Sequence, residues 1–159
     1  MGDAVDNAEV ARTLQRIADM LEFKNENPFK FRSYQMAAET IGSMATPVTE
    51  LVERGGADEL QKIPGIGKTI SSQILEIIHE GKSSYFEELT KDTPASVLDL
   101  RRVSGIGLKT AQLLYRDFGI KSLEELRTLA EGGGLASVPG VGEKSVARIR
   151  ASLSRLRDE

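Results

Sequence analysis

Hydrophobic side chains along this chain recur every three to four residues, the interval that collects them on one face of an α-helix. The clearest helical patterns cover about 7–22, 28–45 and 68–80. Shorter ones follow Thr46, Ser84, Ala95 and Ser122, and each glycine-containing turn described below. No segment alternates apolar and polar residues in the manner of a half-buried strand. The sequence therefore predicts an all-α fold.

Short polar residues mark the points where these helices begin. The spacing of a capping box, a polar residue followed three positions later by Glu, occurs at Asp6, Ser84 and Ser122. Asn27-Pro28 and Thr46-Pro47 each place proline where a first helical residue is expected. Residues 1–5 precede the first cap, show no pattern and are expected to be disordered.

A short glycine-containing segment occurs three times, each time directly before an apolar helical pattern. The copies occupy residues 63–69, 103–110 and 138–145, and each contains glycine, an apolar residue and a second glycine, then a lysine and Ser or Thr. The first glycines of the copies, at positions 65, 105 and 140, lie 40 and 35 residues apart. Repetition at such intervals indicates one supersecondary unit that is used several times.

The chemistry of these residue types favours phosphate binding. Glycine permits positive φ and leaves the backbone open to a close approach, while the apolar residue between the glycines is expected to point into the core. The helix that follows begins with N–H groups that lack intrahelical partners, and such helix ends attract phosphate. Three such turns on one chain suggest a polymer of phosphates. The predicted DNA-binding residues are Gly65, Ile66, Gly67, Lys68, Thr69, Gly105, Ile106, Gly107, Lys109, Thr110, Gly140, Val141, Gly142, Lys144 and Ser145.

The first copy ends like the P-loop of a nucleotide-hydrolysing enzyme, but the rest of that motif is missing. A P-loop needs another glycine where this chain has Lys62, and it needs a buried strand where residues 59–63 show no strand pattern. The sequence therefore does not favour an NTPase.

Composition and charge narrow the function classes further. The chain has 159 residues and no cysteine, which excludes disulfides, thiolate nucleophiles and cysteine-based zinc sites. It shows no apolar leader or membrane-spanning run, so a cytoplasmic protein is expected. Residues 1–60 carry a net charge of −5 and residues 61–159 a net charge of +2. The part with the glycine turns is therefore the basic part, although only mildly.

The order of these motifs resembles the N-terminal region of family X DNA polymerases, in particular the bacterial and archaeal branch. The resemblance rests on Asn-Pro-Phe-Lys-Phe-Arg-Ser-Tyr at 27–34 with Ala37-Ala38, on the first turn, and on residues 102–107 followed by 119–123. It implies tandem helix-hairpin-helix units: an N-terminal bundle like the family's 8-kDa domain over 1–82, and fingers-like hairpins over 83–159. It also implies sequence-independent DNA binding in repair, and a parent chain with polymerase domains.

The same resemblance implies further binding groups. A phosphate pocket would contain Lys30 and Tyr34, together with Lys68. Backbone carbonyls at the first two hairpins would hold a monovalent cation, Na⁺ or K⁺, that helps to bind phosphate. By position these carbonyls belong to Gln61, Ile63, Ile66, Arg101, Val103 and Ile106.

The chain departs from the family at the residues that carry catalysis. No Asp-x-Asp pair of the polymerase type occurs in the sequence, so polymerisation is not expected from these residues. Members with lyase activity use a lysine in the helix after the first hairpin, and here that position is Gln73. Their preceding glutamate corresponds to Ser72, and a later lysine to Tyr85. Since a carboxamide cannot form an imine, no catalytic residue is predicted.

Two alternatives to DNA binding remain. A residual abasic-site lyase would need Lys68 or Lys30 as a substitute nucleophile, yet helical geometry puts positions 68 and 73 about 140° apart, so Lys68 is expected to point elsewhere. The other alternative is a protein-interaction or dimerisation module. Whether gapped, nicked or single-stranded DNA is preferred does not follow from the sequence.

Overall fold

The computed structural model describes residues 5–157, and the disorder predicted for residues 1–5 falls almost wholly outside this range. The described residues form α-helices and two 3₁₀ helices, and no strand occurs among them. The predicted all-α class is confirmed. No helix in this part of the chain is both long and apolar enough to cross a bilayer.

The chain divides into two compact units, with the division between Asp92 and Thr93. The first unit contains six α-helices: α1 (Asn7–Phe23), α2 (Pro28–Ser43), α3 (Val48–Gly55), α4 (Ala57–Leu60), α5 (Lys68–Glu80) and α6 (Ser84–Leu89). The second contains three α-helices and the two 3₁₀ helices, in the order 3₁₀ Ala95–Arg102, α7 (Leu108–Phe118), α8 (Leu123–Glu131), 3₁₀ Gly134–Ser137 and α9 (Glu143–Arg157).

The core of the first unit is built on α1. This helix packs along α2 and also contacts α5 and α6. Its inward side chains at Val10, Leu14, Ile17 and Leu21 are fully buried, as their helical spacing predicts. Because α1 contacts every other long element of the unit, it fixes where α5 and the first glycine turn lie.

The predicted boundary at 82/83 differs from the division seen in the structure by ten residues. The intervening helix α6 packs on α1. The Lys24 ammonium, just after α1, donates to the Leu89 carbonyl at 2.9 Å and to Asp92 at 2.7 Å. These long-range contacts attach residues 84–92 to the first unit. No local pattern in the sequence predicts them.

Most helix starts agree with the polar caps read from the sequence. The Asp6 carboxylate accepts from the Glu9 N–H, the Asn27 amide oxygen from the Phe29 N–H, and the Ser122 hydroxyl from the Glu125 N–H. At α6 the predicted cap is wrong by one residue, because Ser83 and not Ser84 accepts from the backbone, at Phe86. The predicted helix over 95–102 is a 3₁₀ helix, not an α-helix.

The start of α3 is capped from a distance. Pro47 lies at its N-cap, not at its first helical position, and provides no side-chain hydrogen bond. Asn7 supplies the cap across 41 residues: its amide oxygen accepts from the Val48 N–H at 2.8 Å, and its Nδ2 donates to the Thr46 carbonyl at 2.9 Å. One side chain thus ties the beginning of α1 to the beginning of α3.

This contact predicts a graded loss of stability. Replacing Asn7 with Ala should lower the free energy of unfolding by about 1–2 kcal/mol, the usual cost of a lost cap. Asn7→Asp keeps the acceptor for Val48 but loses the donor to Thr46, so its loss should be smaller. Urea denaturation followed by circular dichroism measures both. Equal stability of all three proteins would contradict the capping role.

Candidate nucleic-acid interface

The first glycine segment forms a hydrogen-bonded turn over residues 63–66. The Ile66 N–H donates to the Ile63 carbonyl at 3.0 Å. Gly65, the third residue of the turn, has a φ of +85°. Proline at the second position and positive φ at the third are the features of a type II turn, which favours glycine there. The sequence Ile-Pro-Gly-Ile therefore has a geometric reason for its proline and its first glycine.

The other two segments repeat this geometry. In the second, Ile106 donates to the Val103 carbonyl at 3.1 Å, and Gly105 has a φ of +99°. In the third, Val141 donates to Val138 at 3.1 Å, and Gly140 has a φ of +84°. The expected inward orientation of the apolar residue between the glycines is confirmed, since Ile66, Ile106 and Val141 are all buried.

The first two turns lead directly into helices whose first N–H groups are open. Gly67 is the N-cap of α5 and Gly107 the N-cap of α7, and neither helix start has a side-chain cap. The carbonyls of these glycines accept from the N–H groups of Ser71 and Ala111, which begin the helical ladders. The N–H groups of the three residues between each glycine and its partner therefore lack an intrahelical acceptor. They form a site of positive potential beside the turn.

The second glycine of each segment is not required by the chain's own conformation. Gly67 and Gly107 have φ values of −96° and −93°, which any residue adopts. A β-carbon built at Gly67, Gly107 or Gly142 would meet no atom within 4 Å. The chain thus keeps three small, exposed positions where its own packing would accept a side chain.

The first glycine of the second turn differs from its counterparts. A β-carbon at Gly105 would lie 3.1 Å from the Ile149 side chain, whereas Gly65 and Gly140 have open space. The Ser104 N–H donates to the Ser152 hydroxyl at 2.9 Å. The second turn therefore packs against α9, the helix that follows the third turn. Ser152 was not among the predicted residues, although its helical spacing with Ile149 and Leu156 was the available signal.

A cleft of about 510 Å³ opens beside the first turn. Its lining brings together three predicted residues from α2 and α5, Lys30, Tyr34 and Lys68, with the backbone of the turn. Lys68 therefore lines the same cleft as Lys30 and Tyr34, whereas Gln73 is not among the lining residues. Ser33 and Thr69 add hydroxyl groups. The cleft thus offers two ammonium groups and hydroxyls to an anionic ligand.

Gln73 lies behind this cleft, in contact with Tyr34. Its Nε2 donates to the Tyr34 hydroxyl at 2.6 Å, while its amide oxygen is buried without a hydrogen-bond partner. Burial raises the pKa of Tyr34, and the hydrogen bond from Gln73 partly offsets this rise. Tyr34 also stacks on Tyr85, with 6.0 Å between ring centroids. The hydrogen bond to Tyr34 thus fixes the side chain of Gln73.

Lys30 lies over this aromatic pair. Its ammonium is 5.5 Å from the centroid of the Tyr85 ring. The adjacent Tyr85 side chain raises the pKa of Lys30 despite some desolvation, although no hydrogen bond joins the two groups. At neutral pH this side chain is consequently a cation, suited to an anion and not to nucleophilic attack.

The remaining predicted side chains lie at the surface near their turns. Lys109 and Lys144 are exposed, and Thr110 and Ser145 are half-buried. Lys62, just before the first turn, is engaged differently, because its ammonium lies 2.6 Å from a Glu59 carboxylate oxygen. This ion pair with Glu59 distinguishes Lys62 from Lys68, Lys109 and Lys144, the lysines that follow the second glycines.

Two of the carbonyls expected to bind a monovalent cation already accept a backbone hydrogen bond. Those of Ile63 and Val103 each accept the hydrogen bond of their turn. A carbonyl oxygen has two lone pairs, so one remains on each for a cation. Hard cations prefer oxygen ligands of this kind, and the Na⁺ or K⁺ site at these carbonyls stays a prediction. Among the described residues no cluster of acidic or histidine side chains could hold a metal ion.

Comparison with protein families assigns both units to helix-hairpin-helix types. Residues 5–83 match the Helix-hairpin-helix domain family, and residues 97–155 match the SAM-like Helix-hairpin-helix tandem family. The two matches cover the first glycine turn and the second and third turns respectively.

Individual relatives include two DNA polymerases and a subunit of a Holliday junction branch migration complex. The chain is 32% identical over 145 residues to the DNA polymerase/3′-5′ exonuclease PolX of Bacillus subtilis, covering 91% of this chain and 24% of that protein. It is 27% identical over 125 residues to DNA polymerase lambda of Rattus norvegicus, covering 78% of this chain and 20% of the relative. It is 29% identical over 91 residues to the Holliday junction branch migration complex subunit RuvA of Albidiferax ferrireducens, covering 57% of this chain and 48% of RuvA. The chain thus spans about a quarter or less of these polymerases and about half of RuvA.

Proposed function

Since the chain is a helix-hairpin-helix region of the kind found at the N-terminus of family X DNA polymerases, we propose that it binds DNA without sequence preference, through the phosphate backbone. The helix-hairpin-helix families and the named relatives support DNA binding in repair or recombination. The contacts proposed here come from the three glycine turns and the helix starts that follow them. Such contacts position a protein on DNA but carry no base information.

One observation carries this proposal: Gly67, Gly107 and Gly142 have neither a conformational nor an internal packing need to be glycine. Glycine is a poor choice at an open, extended position because it increases the entropy lost on folding. A ligand that approaches the backbone closely would explain why these positions are glycine. Free N–H groups beside the same glycines indicate an anionic ligand.

The side chains around the turns match a phosphate backbone. Lys68, Lys109 and Lys144 follow the second glycines and add a cation to each helix start. At the first turn, Lys30 and Lys68 share one cleft. A bound monovalent cation on the turn carbonyls would add positive charge at the first two turns. Phosphate contacts of this kind release counterions, so the affinity should fall steeply with salt.

The lyase alternative receives less support. Gln73 has no nucleophilic nitrogen, and Tyr34 occupies its amide. Lys30, one possible substitute, has a raised pKa, which keeps its amine protonated. Lys68 faces the cleft and is the remaining candidate for imine formation.

The interaction alternative also lacks a strong observation. Two large apolar side chains in the described part of the chain are well exposed, Phe29 at 79% and Met36 at 62%. They are seven residues apart on α2, so they share a helix face. Two such residues fall short of the extended apolar patch that is typical of a stable protein interface.

Substitution of Gly107 tests whether a phosphate contacts the backbone at the second turn. Replacing Gly107 with Val should weaken duplex DNA binding about tenfold or more, because the side chain would stand where a phosphate approaches. Replacing it with Ser should weaken binding as well, since the hydroxyl would cap the N–H groups, yet should leave the fold as stable or more stable by a few tenths of a kcal/mol. Fluorescence anisotropy measures binding, and thermal unfolding measures stability.

Gly42→Ala is the control for this pair, since it adds a β-carbon on α2, away from the turns, and should leave DNA affinity unchanged. Full affinity in a folded Gly107→Val protein would refute phosphate contact at the second turn.

The lysines are tested through the salt dependence of binding. Lys68→Ala and Lys109→Ala should each reduce the slope of log affinity against log salt by about one unit, the value for one lost phosphate contact. Lys62→Ala makes the same change of charge but removes a lysine already paired with Glu59, so its slope should stay close to that of the wild type. Indistinguishable slopes for all three variants would assign Lys68 and Lys109 to the ordinary solvated surface.

The absence of lyase chemistry is tested by borohydride trapping on an incised abasic site. We expect no covalent adduct with the wild type. Gln73→Lys should give a trace of adduct, because the cleft with Lys30 and Tyr34 lies next to position 73. Strong trapping by the wild type that disappears in Lys68→Ala would instead make Lys68 the nucleophile and this chain a lyase.

A further inference from the structure

A second basic cleft lies in the second unit, between α8 and α9. It has a volume of about 400 Å³. Arg127 and Glu131 line it from α8, and Arg150, Ser154 and Arg157 from α9. These positions are four residues apart on α8 and three or four apart on α9, so each helix presents one face to the cleft. None of these residues belongs to a glycine turn.

Two of the three arginines have partners at the end of α8. The Arg150 guanidinium donates to the Ala130 carbonyl at 2.8 Å, which neutralises the partial negative charge of that helix end. The Arg157 guanidinium donates to a Glu131 carboxylate oxygen at 3.2 Å. The bond of Arg150 holds its guanidinium at the cleft, whereas the exposed pair of Arg157 with Glu131 holds its guanidinium only weakly.

Arg127 is the exception. Its Nε is buried and has no hydrogen-bond partner. A buried donor of a charged group without an acceptor is costly, and native proteins leave few of them. An acceptor from a ligand in the cleft would satisfy this N–H.

The balance of charged side chains in the cleft indicates the sign of the ligand's charge. After Arg150 is assigned to the end of α8, Arg127 and Arg157 remain against the single carboxylate of Glu131. The cleft therefore keeps a net positive charge, and the Ser154 hydroxyl adds a neutral donor. Guanidinium groups held in this way favour phosphate oxygens, which they bind through two parallel hydrogen bonds.

We propose that the α8–α9 cleft binds a phosphate group of the DNA backbone, as a site separate from the three glycine turns. This inference rests on the proposed function. The third turn opens α9, and Arg150 and Arg157 follow its first residue by 7 and 14 positions, or about 10 and 21 Å along the helix axis. A strand advances about 3.4 Å per nucleotide along the duplex axis, so a duplex whose axis lies parallel to α9 would bring a phosphate to the cleft about three to six nucleotides from the third turn.

Two variants with opposite expected effects test this site. Arg127→Gln should weaken duplex DNA binding about three- to tenfold and lower the salt slope by about one unit. Glu131→Gln should instead tighten binding severalfold, because it removes the one carboxylate and releases Arg157. Arg54→Gln, which removes an arginine from a surface pair with Glu50, is the control and should change little. A purely structural role for the cleft would not produce effects of opposite sign.

The second measurement uses inorganic phosphate on the wild-type protein. The ¹⁵N resonance of the Arg127 Nε–H should shift saturably with phosphate in the millimolar range and respond little to acetate at equal ionic strength. An equal response to acetate would assign the cleft to carboxylates, as on an acidic protein partner, and overturn the proposal. So would no response to either ion together with unchanged DNA affinity of Arg127→Gln.

These outcomes separate the two proposals. If the wild type binds DNA and Gly107→Val does not, while Arg127→Gln binds like Arg54→Gln, the cleft proposal fails and the proposed function stands. If the wild type does not bind DNA, the proposed function fails, and with it the assignment of the phosphate to DNA.

Discussion

The phosphate contacts proposed at the three glycine segments depend on turns that are buried at both of their ends. In the first turn, Ile63 and Ile66 are both in the core and joined by a backbone hydrogen bond. Burial of the two ends forces the two residues between them outward and aims the next helix start at solvent. The second and third turns repeat this arrangement with Val103 and Ile106, and with Val138 and Val141. The hydrophobic effect thus fixes the orientation of polar backbone groups that make no contact with the core.

The surrounding elements serve to hold these turns. In the first unit α1 packs against α2, α5 and α6, and its first residue, Asn7, caps α3 from a distance. In the second unit the 3₁₀ helices lead into the turns, and α8 packs against α9. Gln73 of α5 is hydrogen-bonded to Tyr34 of α2, and Arg127 of α8 lines one cleft with Arg157 of α9. Both sets of side chains lie between two helices. Packing between helices has therefore produced both clefts.

Local patterns predicted the features that depend on neighbours in sequence. Helical periodicity found the buried face of α1, and the caps at Asp6, Asn27 and Ser122 were correctly placed because each acts within three residues of itself. Features that depend on distant residues were missed. The cap from Asn7 on Val48 spans 41 residues, and the attachment of α6 through Lys24 spans more than 60.

The candidate site divides in the same way. The turn geometry followed from glycine and proline at fixed positions, since backbone conformation is a local property. The shared cleft of Lys30, Tyr34 and Lys68 was expected only from the family resemblance, because helical periodicity within α5 does not say where the neighbouring helix α2 places its side chains. Arg127 was overlooked because nothing in its own segment distinguishes it from a solvated arginine.

The packing of the second turn on α9 also has a kinetic consequence. Gly105 lies against Ile149, and Ser104 is bonded to Ser152, so the second and third turns belong to one rigid body. Two contacts on a rigid body release a polymer only when both are open at once. When one contact dissociates, the other keeps the polymer at a high effective concentration near the open site, so rebinding is faster than complete dissociation. We therefore expect the second unit to have a residence time on a phosphate chain much longer than either turn alone would give.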